Sequence, residues 1–242
     1  AFEDVCEAAC VRTTPNLAFV LDRTFSMSFP RNQQTTITKW EEVKMAMEVA
    51  TAGYYSKVNM GLKTYPTDIG YFIGCTVKEG MDVGFRSSGA DLSSALATLE
   101  PDQFGNSVAA GLYATLGEFQ KLPYDGPNYA VVITDDGESC EDDAYVLDAV
   151  ELLASEGIKT VFIGLGPDVY HEQLNSLALA GGMPNPIELQ SNEPYYYAAD
   201  NASELINVLY SVLDKLSGEV CDGIDNDCDG EIDEEILPIA CN

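Results

Sequence analysis

Histidine is almost absent from this sequence, and its cysteines lack the spacing of a zinc site. His171 is the single histidine. It lies in a helix predicted for 169–180, where we expect it at the surface, and a histidine-based catalytic triad would need it. The seven cysteines lie at positions 6, 10, 75, 140, 221, 228 and 241, and none forms a Cys-x-x-Cys pair. This gives a Cys/His zinc site little support. It favours structural disulfides, which persist in an oxidising compartment.

Basic residues and long apolar runs are scarce as well. The chain has 12 lysines and arginines against 40 aspartates and glutamates, which gives a net charge of −28. Such a charge repels nucleic acid and anionic membranes, and it favours cations and basic partners. No run approaches the ~20 apolar residues of a membrane span, and no charged-then-apolar leader begins at Ala1. A signal peptide is therefore either absent or already removed, and the structural disulfides expected above predict a secreted or cell-surface protein.

Nucleotide-binding glycine loops are absent too. The stretch at 164–167 follows a predicted strand, but it lacks the third glycine of a dinucleotide loop and runs into proline, so it indicates a turn.

Short apolar runs alternate with amphipathic helical patterns along most of the chain. Residues 17–21 form a continuous apolar run typical of a buried parallel strand, and Thr38 with Glu41 forms the capping box of the next helix. Further strands are predicted at 58–65, 129–134 and 160–164, weaker ones at 82–85 and 186–189, and helices at 107–121, 144–156, 169–180 and 201–215.

This alternation predicts an α/β fold with a doubly wound, Rossmann-like, mostly parallel sheet and helices on both faces. The helical and strand periodicity ends near Ser217. We therefore divide the chain into an N-terminal arm (1–15), one large domain (16–217) and a small tail (218–242) rich in cysteine and aspartate, which disulfides and metal would order.

Oxygen-bearing side chains follow two predicted strands where each strand ends. The first strand is followed by Asp22, Thr24 and Ser26 in alternation, and the strand at 129–134 by Asp135. Ligands of open parallel sheets bind at the carboxyl ends of strands where the winding order reverses. Carboxylate and hydroxyl oxygens suit hard cations such as Mg²⁺ and Ca²⁺. The pattern predicts a divalent-cation site that leaves one position for an outside acidic group.

Residues 19–28, Phe-Val-Leu-Asp-Arg-Thr-Phe-Ser-Met-Ser, and 131–135, Val-Val-Ile-Thr-Asp, resemble two motifs of the von Willebrand factor A domain family. The predicted order of strands and helices agrees with that family over most of the chain. Domains of this family carry a metal-ion-dependent adhesion site, in which a carboxylate of the partner completes the shell of the ion. The resemblance implies the ligands Asp22, Thr24, Ser26 and, through water, Asp135.

Some positions depart from the family pattern. Thr24 replaces the commoner serine and keeps the hydroxyl, and Phe25 replaces a small residue and places an aromatic ring at the rim. In the middle loop, where the family has a threonine ligand, register predicts Asn106, with Ser107 beside it. Either of these is a candidate ligand, and either is alternatively the N-cap of its helix. Asp136 follows Asp135, which leaves open which carboxylate faces the ion.

The tail carries a second candidate cation site. Asp225, Asp227 and Asp229 alternate before Gly230, as ligands do at positions 1, 3 and 5 of a calcium loop with its turn glycine at position 6. Two more ligands follow: the carbonyl of Glu231 and the side chain of Asp233.

Position 12 of this loop is Ile236, not the glutamate of an intact EF-hand. The stretch resembles the Cys-Asp-Gly-x-Asp-Asn-Asp-Cys-Asp-Gly metal-binding motif of secreted bacterial proteins. A loop ordered by Ca²⁺ is the favoured interpretation, and a disordered acidic tail is the alternative.

The leading functional hypothesis is adhesion without catalysis: a protein or glycan ligand binds through Mg²⁺ or Ca²⁺ at Asp22. A structural module stabilised by calcium is the alternative. A metallohydrolase is a third possibility, which would need Asp136 or Glu138 as its general base. Cys75 and Cys140 both lie in loops after strands, and a disulfide between them is our hypothesis for how the rim of the first site is held.

Overall fold

The computed structural model describes residues 14–67, 75–87, 89–101, 104–122, 126–186 and 194–217. Within these ranges five parallel strands form one sheet: β1 (Asn16–Asp22), β2 (Asn59–Tyr65), β3 (Asn128–Thr134), β4 (Ile158–Leu165) and β5 (Tyr197–Ala199). Their order across the sheet is β2-β1-β3-β4-β5. The chain passes from β1 to β2 on one side and then to β3 on the other, so the winding reverses between β1 and β3.

Helices cover both faces of this sheet. They are α1 (Lys39–Thr51), α2 (Gly89–Thr98), α3 (Val108–Phe119), α4 (Asp143–Ser155), α5 (His171–Ala180) and α6 (Ala202–Ser217). The core on one face joins α1, α2 and α6, and the core on the other joins α3, α4 and α5. The predicted doubly wound α/β fold is therefore confirmed.

The residues of β1 show why its sequence reads as a continuous apolar run. Leu17, Phe19 and Leu21 belong to the core under α1, α2 and α6, whereas Ala18 and Val20 belong to the core under α3, α4 and α5. Side chains alternate along a strand, and a central strand covered on both faces must be apolar at every position. The central strands accordingly lie within two residues of their predicted bounds.

Three predictions near the sheet edges differ from the structure. The segment at 82–85 is no strand, because Val83 forms only an isolated antiparallel bridge with Leu62. Helix α2 was not predicted, since Leu92 and Leu96 are its only buried side chains. Most of the weak strand predicted at 186–189 lies outside the described residues. The fifth strand lies instead at 197–199, at the end of three consecutive tyrosines (195–197) for which no strand was predicted.

The segment beside the edge strand β2 is tied to it through buried polar groups. The Lys63 ammonium donates to the carbonyl oxygens of Lys78 (2.5 Å) and Gly80 (2.8 Å). The Asp82 carboxylate accepts hydrogen bonds from the backbone N–H (2.6 Å) and hydroxyl (2.9 Å) of Thr64. These contacts hold the stretch that includes Cys75, which takes part in the disulfide described below.

Candidate metal centre

Asp22 ends β1 next to the point where the winding reverses, and it is fully buried. Its Oδ1 accepts hydrogen bonds from the backbone N–H (2.8 Å) and hydroxyl (2.7 Å) of Thr24. Its Oδ2 accepts from the Thr134 hydroxyl (2.6 Å) and the Asn106 amide nitrogen (2.9 Å). The carboxylate is thus fixed by its own loop, by the end of β3 and by the middle loop.

Hydroxyl groups extend this arrangement from Asp22 to the end of β3. A 3₁₀ turn at Phe25–Ser28 bends the loop, so that Thr24 Oγ1 and Ser26 Oγ lie 2.8 Å apart. The Ser26 hydroxyl donates to Asp135 Oδ1 at 2.9 Å. The structure therefore brings together the four side chains on which the family resemblance depends.

Asp135, and not Asp136, faces this cluster. Asp135 is buried, whereas the exposed Asp136 accepts a hydrogen bond from the Gly137 N–H at 2.8 Å. The sequence did not decide between these two carboxylates, and the structure places Asp135 beside the candidate ligands.

The middle loop places two unsatisfied oxygens beside the cluster. Gly105 has a φ of +86°, a left-handed conformation that glycine adopts without strain, and Asn106 and Ser107 follow it. Asn106 Oδ1 and Ser107 Oγ are both buried and have no hydrogen-bond partner. Ser107 stands at the N-cap position of α3, but its side chain makes no capping hydrogen bond.

These groups fit a divalent cation. A buried polar atom that lacks a partner costs about 1–3 kcal/mol, and an ion would satisfy both oxygens. Carboxylate, hydroxyl and amide oxygens are the donors that hard cations take. In the part of the chain that the structure describes, no three His, Cys, Asp or Glu side chains cluster as metal ligands. An ion held here would therefore depend on hydroxyl or amide oxygens beside the two aspartates.

Lys39 joins the cluster, although the sequence analysis did not single it out. Its Nζ lies 2.5 Å from Asp135 Oδ2, and both side chains are buried. Lys39 is the first residue of α1, which begins at the predicted capping box of Thr38 and Glu41. A lysine at the start of an amphipathic helix is usually solvated, so periodicity gave no signal. Its position at the start of the helix that follows the first motif loop was the available clue.

Burial dominates the electrostatics of Asp22. Loss of solvation, together with repulsion from the Asp135 carboxylate, raises the pKa of Asp22 to about 7, although hydrogen bonds from Thr134 and Thr24 oppose the shift. A cation would favour the ionised form of this carboxyl group, because an opposite charge lowers a carboxyl pKa.

Glu138 supports the site from behind. Its carboxylate accepts hydrogen bonds from the backbone N–H groups of Ala109 (2.9 Å), Cys140 (2.9 Å) and Glu141 (3.3 Å). Burial raises its pKa, and these donors oppose the shift. Because both oxygens are engaged by backbone donors, Glu138 serves the loop and is poorly placed to act as a general base.

A disulfide ties the segment after β2 to the loop after β3, and hydrogen bonds tie that loop to the middle loop. Cys75 and Cys140 are joined, as the sequence analysis hypothesised. The Asn106 carbonyl accepts from the N–H groups of Ser139 (2.9 Å) and Cys140 (3.2 Å), and the Asn106 N–H donates to Ser139 Oγ (2.8 Å). The candidate ligands Asn106 and Ser107 therefore sit on a braced loop.

Three phenylalanine rings line the rim beside Thr24 and Ser26. The Phe25 ring lies 5.0 Å from that of Phe29 and 5.2 Å from that of Phe104, centroid to centroid. They are 40%, 51% and 53% exposed, respectively. The aromatic rim expected from Phe25 is thus larger than the sequence alone indicated.

His171, which was also singled out in the sequence, lies apart from this cluster. His171 is exposed at the start of α5, where its Nδ1 lies 2.6 Å from the Tyr196 hydroxyl. The candidate ligands of the tail site, which are Asp225, Asp227, Asp229, Glu231 and Asp233, lie outside the described residues.

Residues 16–209 match the von Willebrand factor type A (VWA) domain in sequence, and the sheet has two motif loops meeting at its reversal point. The chain belongs to the VWA domain family. This confirms the family that the motifs of the first and third strands indicated. No curated protein matches the sequence. No helix among the described residues is long and apolar enough to cross a membrane.

Several solved structures share the VWA fold with this chain. A von Willebrand factor type A protein from Catenulispora acidiphila is 17% identical (TM-score 0.62), covering 86% of this chain and 43% of that protein. Proximal thread matrix protein 1 from the mussel byssus is 17% identical (TM-score 0.58; 84% and 46%). The pilus adhesin SpaC from Lactobacillus rhamnosus GG is 14% identical (TM-score 0.60; 84% and 30%). The chain spans less than half the length of each.

Proposed function

We propose that this VWA domain is an extracellular binding module that captures a carboxylate of a protein ligand through a divalent cation at Asp22, Thr24 and Ser26. The observation that carries the proposal is the continuous path of oxygens from Asp22 to Asp135, with the unpartnered Asn106 Oδ1 and Ser107 Oγ beside it. When bound, the cation supplies a positive charge and an open coordination position for an acidic group.

The residues of this chain would set the geometry of capture. Asp22 and the hydroxyls of Thr24 and Ser26 are held together by hydrogen bonds of 2.7–2.8 Å. Asp135 would act from the opposite side of the cluster through its contact with Ser26. Since few carboxylates contribute, a bound cation would retain charge for the ligand.

Two similar structures support this proposal by their descriptions. One structure of the mussel byssus matrix protein, 18% identical (TM-score 0.58, covering 84% of this chain and 45% of that protein), is described with a zinc-occupied MIDAS motif, the metal-ion-dependent adhesion site. SpaC is described as a pilus adhesin. We propose Mg²⁺ or Ca²⁺ for this chain because its donors are all oxygens. We also propose that the tail residues 225–233 bind Ca²⁺.

Selection from a random peptide library tests the adhesion proposal. Immobilised wild-type protein with Mg²⁺ should retain peptides enriched in aspartate and glutamate, and a chelator should release them. Asp22→Ala should retain none, whereas Asp168→Ala, which removes an exposed carboxylate outside the cluster, should behave as wild type. Equal enrichment by Asp22→Ala would contradict metal-dependent capture. Metal-induced thermal stabilisation without any peptide enrichment would favour the structural module instead.

A further inference from the structure

The buried ion pair between Lys39 and Asp135 changes the charge of the metal centre. The Lys39 ammonium contacts Oδ2 of Asp135, whereas the Ser26 hydroxyl contacts Oδ1 of the same carboxylate. Lys39 is 5% exposed and Asp135 is 1% exposed. The Lys39 ammonium therefore compensates the negative charge of Asp135 at Oδ2, and Oδ1 faces the Ser26 hydroxyl of the first motif loop.

Other charged groups near this pair are already compensated or solvated. Glu42 forms an ion pair with Arg31. Glu138 accepts hydrogen bonds from backbone N–H groups, and Asp136 is exposed. The uncompensated buried charges at the cluster are thus those of Asp22, Asp135 and Lys39, which sum to −1 when all three are ionised.

This sum determines what a divalent cation leaves behind. With Lys39 present, a divalent ion brings the buried charge from −1 to +1, and a single ligand carboxylate then brings it to zero. Without the ammonium, the ion alone would neutralise the two aspartates, and a ligand carboxylate would leave an excess negative charge. Net charge in a buried site is costly because the surroundings solvate it poorly.

We infer that Lys39 is a built-in counter-cation of the metal centre, which leaves the ion-loaded site with a net positive charge that one ligand carboxylate neutralises. This inference rests on the proposed function, since it requires a cation at Asp22. Lys39 lowers the affinity for the ion alone and raises the affinity of the ion-loaded site for a carboxylate. By linkage, a carboxylate that binds the ion-loaded site better than the empty one tightens ion binding, and at a given carboxylate concentration Lys39 makes this tightening larger.

Calorimetric titration with Mn²⁺, with and without acetate as a simple carboxylate, tests this role. The titration belongs at least about one pH unit above the raised pKa of Asp22, so that this carboxyl group is ionised. Acetate should tighten Mn²⁺ binding by the wild type. The free Mn²⁺ concentration is corrected for the weak Mn²⁺–acetate complex, which is measured separately with an indicator dye. Lys39→Met should bind Mn²⁺ at least about tenfold more tightly than wild type because a nearby positive charge is removed. Acetate should tighten Mn²⁺ binding by this variant less than it does for the wild type.

Two variants serve as controls. Lys39→Arg keeps the positive charge and should retain the effect of acetate. Lys44→Met removes a lysine of the same helix outside the cluster and should match wild type. Equal Mn²⁺ affinities of Lys39→Met and wild type would overturn the inference. So would a wild-type affinity that acetate does not change, and this measurement remains decisive even if Lys39→Met fails to fold.

The proposed function fails in a different way. If neither wild type nor Lys39→Met binds Mn²⁺, the cation site itself is wrong, and the role of Lys39 falls with it. If wild type binds Mn²⁺ and Asp22→Asn does not, while Lys39→Met equals wild type, only the counter-cation inference is lost.

Discussion

At the scale of single residues, Asp22 is the group on which cations and protons compete. Its pKa is raised to about 7 by burial and by the Asp135 carboxylate. We expect Mn²⁺ affinity to be nearly constant above that pH and to fall by up to about tenfold per pH unit below it, because a proton must leave before the ion binds. Calorimetric titrations over a range of pH would measure this. A pH-independent affinity between pH 5 and about 7 would contradict it.

The raised pKa of Asp22 also makes the free energy of unfolding depend on pH. The dependence is opposite in sign to that of an aspartate whose pKa is lowered by folding. The folded-state pKa of Asp22 lies above the unfolded value of 3.8, so the folded protein holds the proton more strongly between 3.8 and about 7. In chelator, its contribution to the free energy of unfolding is therefore complete below 3.8 and is lost as the pH rises to about 7. Urea unfolding of wild type and Asp22→Asn should show this, since the variant lacks the contribution.

Alanine substitutions of Asn106 and Ser107 should have different effects on the free energy of unfolding and on Mn²⁺ affinity. The buried Ser107 hydroxyl has no partner among the described residues, so Ser107→Ala should raise the free energy of unfolding in chelator by about 1–3 kcal/mol and weaken Mn²⁺ binding about tenfold. Asn106→Ala also removes the hydrogen bond to Asp22 and should lower both quantities. Unchanged Mn²⁺ affinity of Ser107→Ala would assign the middle-loop contact to Asn106 alone.

Some of these residues could be predicted from the sequence, and Lys39 could not. Asp22, Ser26 and Asp135 were predictable because they follow continuous apolar runs, and the ends of parallel strands meet at one edge of a sheet. Lys39 was not predictable by periodicity, because its partner lies 96 positions away in the sequence and only the fold brings them together. The sequence also could not show that Asn106 Oδ1 and Ser107 Oγ both lack hydrogen-bond partners, because no sequence pattern records such partners.

At the scale of elements, the start of α1 positions Lys39. The Thr38 hydroxyl accepts the Glu41 N–H (3.1 Å), and the Glu41 carboxylate accepts the Thr38 N–H (2.8 Å). Thr38→Ala should lower the free energy of unfolding by about 1 kcal/mol, as measured by urea titration. Thr36→Ala, which alters an exposed threonine two residues earlier, should change little. Equal effects of the two would contradict the capping role.

The disulfide joins the segment after β2 to the loop after β3. Cys75 and Cys140 are 65 residues apart, and closing a loop of this size restricts the unfolded chain. The double variant Cys75→Ser/Cys140→Ser should lower the free energy of unfolding by about 2–4 kcal/mol. It should also weaken Mn²⁺ binding, because Cys140 lies on the loop that braces Asn106. Unaltered unfolding would show that the hydrogen bonds between the loops suffice.

The elements that sequence predicted best are those with the most burial. Strands β1, β3 and β4 are apolar at nearly every position because both of their faces are covered. Helix α2 buries only Leu92 and Leu96, which is too little periodicity to predict a helix. Strand β5 has three residues, and the three consecutive tyrosines at 195–197, of which only Tyr197 belongs to it, favour a packing cluster as readily as a strand.

At the scale of the whole molecule, the charge of −28 makes cation binding a general expectation, so the two candidate sites must be separated by mutation. We expect Asp225→Ala/Asp227→Ala to lose Ca²⁺ binding by the tail while keeping Mn²⁺ binding at Asp22. Asp22→Ala should show the reverse. Calorimetric titration of each variant measures both. Retention of all Ca²⁺ binding by the double tail variant would contradict the calcium loop.

The parallel packing of α1 and α6 also determines how the domain is presented. The Tyr210 hydroxyl contacts the Val49 carbonyl and Tyr54 contacts Asp214, so both helices end near the same edge of the sheet. This is the edge where Asn16 and Asn59 pair at the start of β1 and β2. Thr14 and Ser217, at which the described part of the domain begins and ends, therefore lie on the side of the sheet away from Asp22. A linker attached at either of these two residues would leave the candidate metal centre accessible to a binding partner.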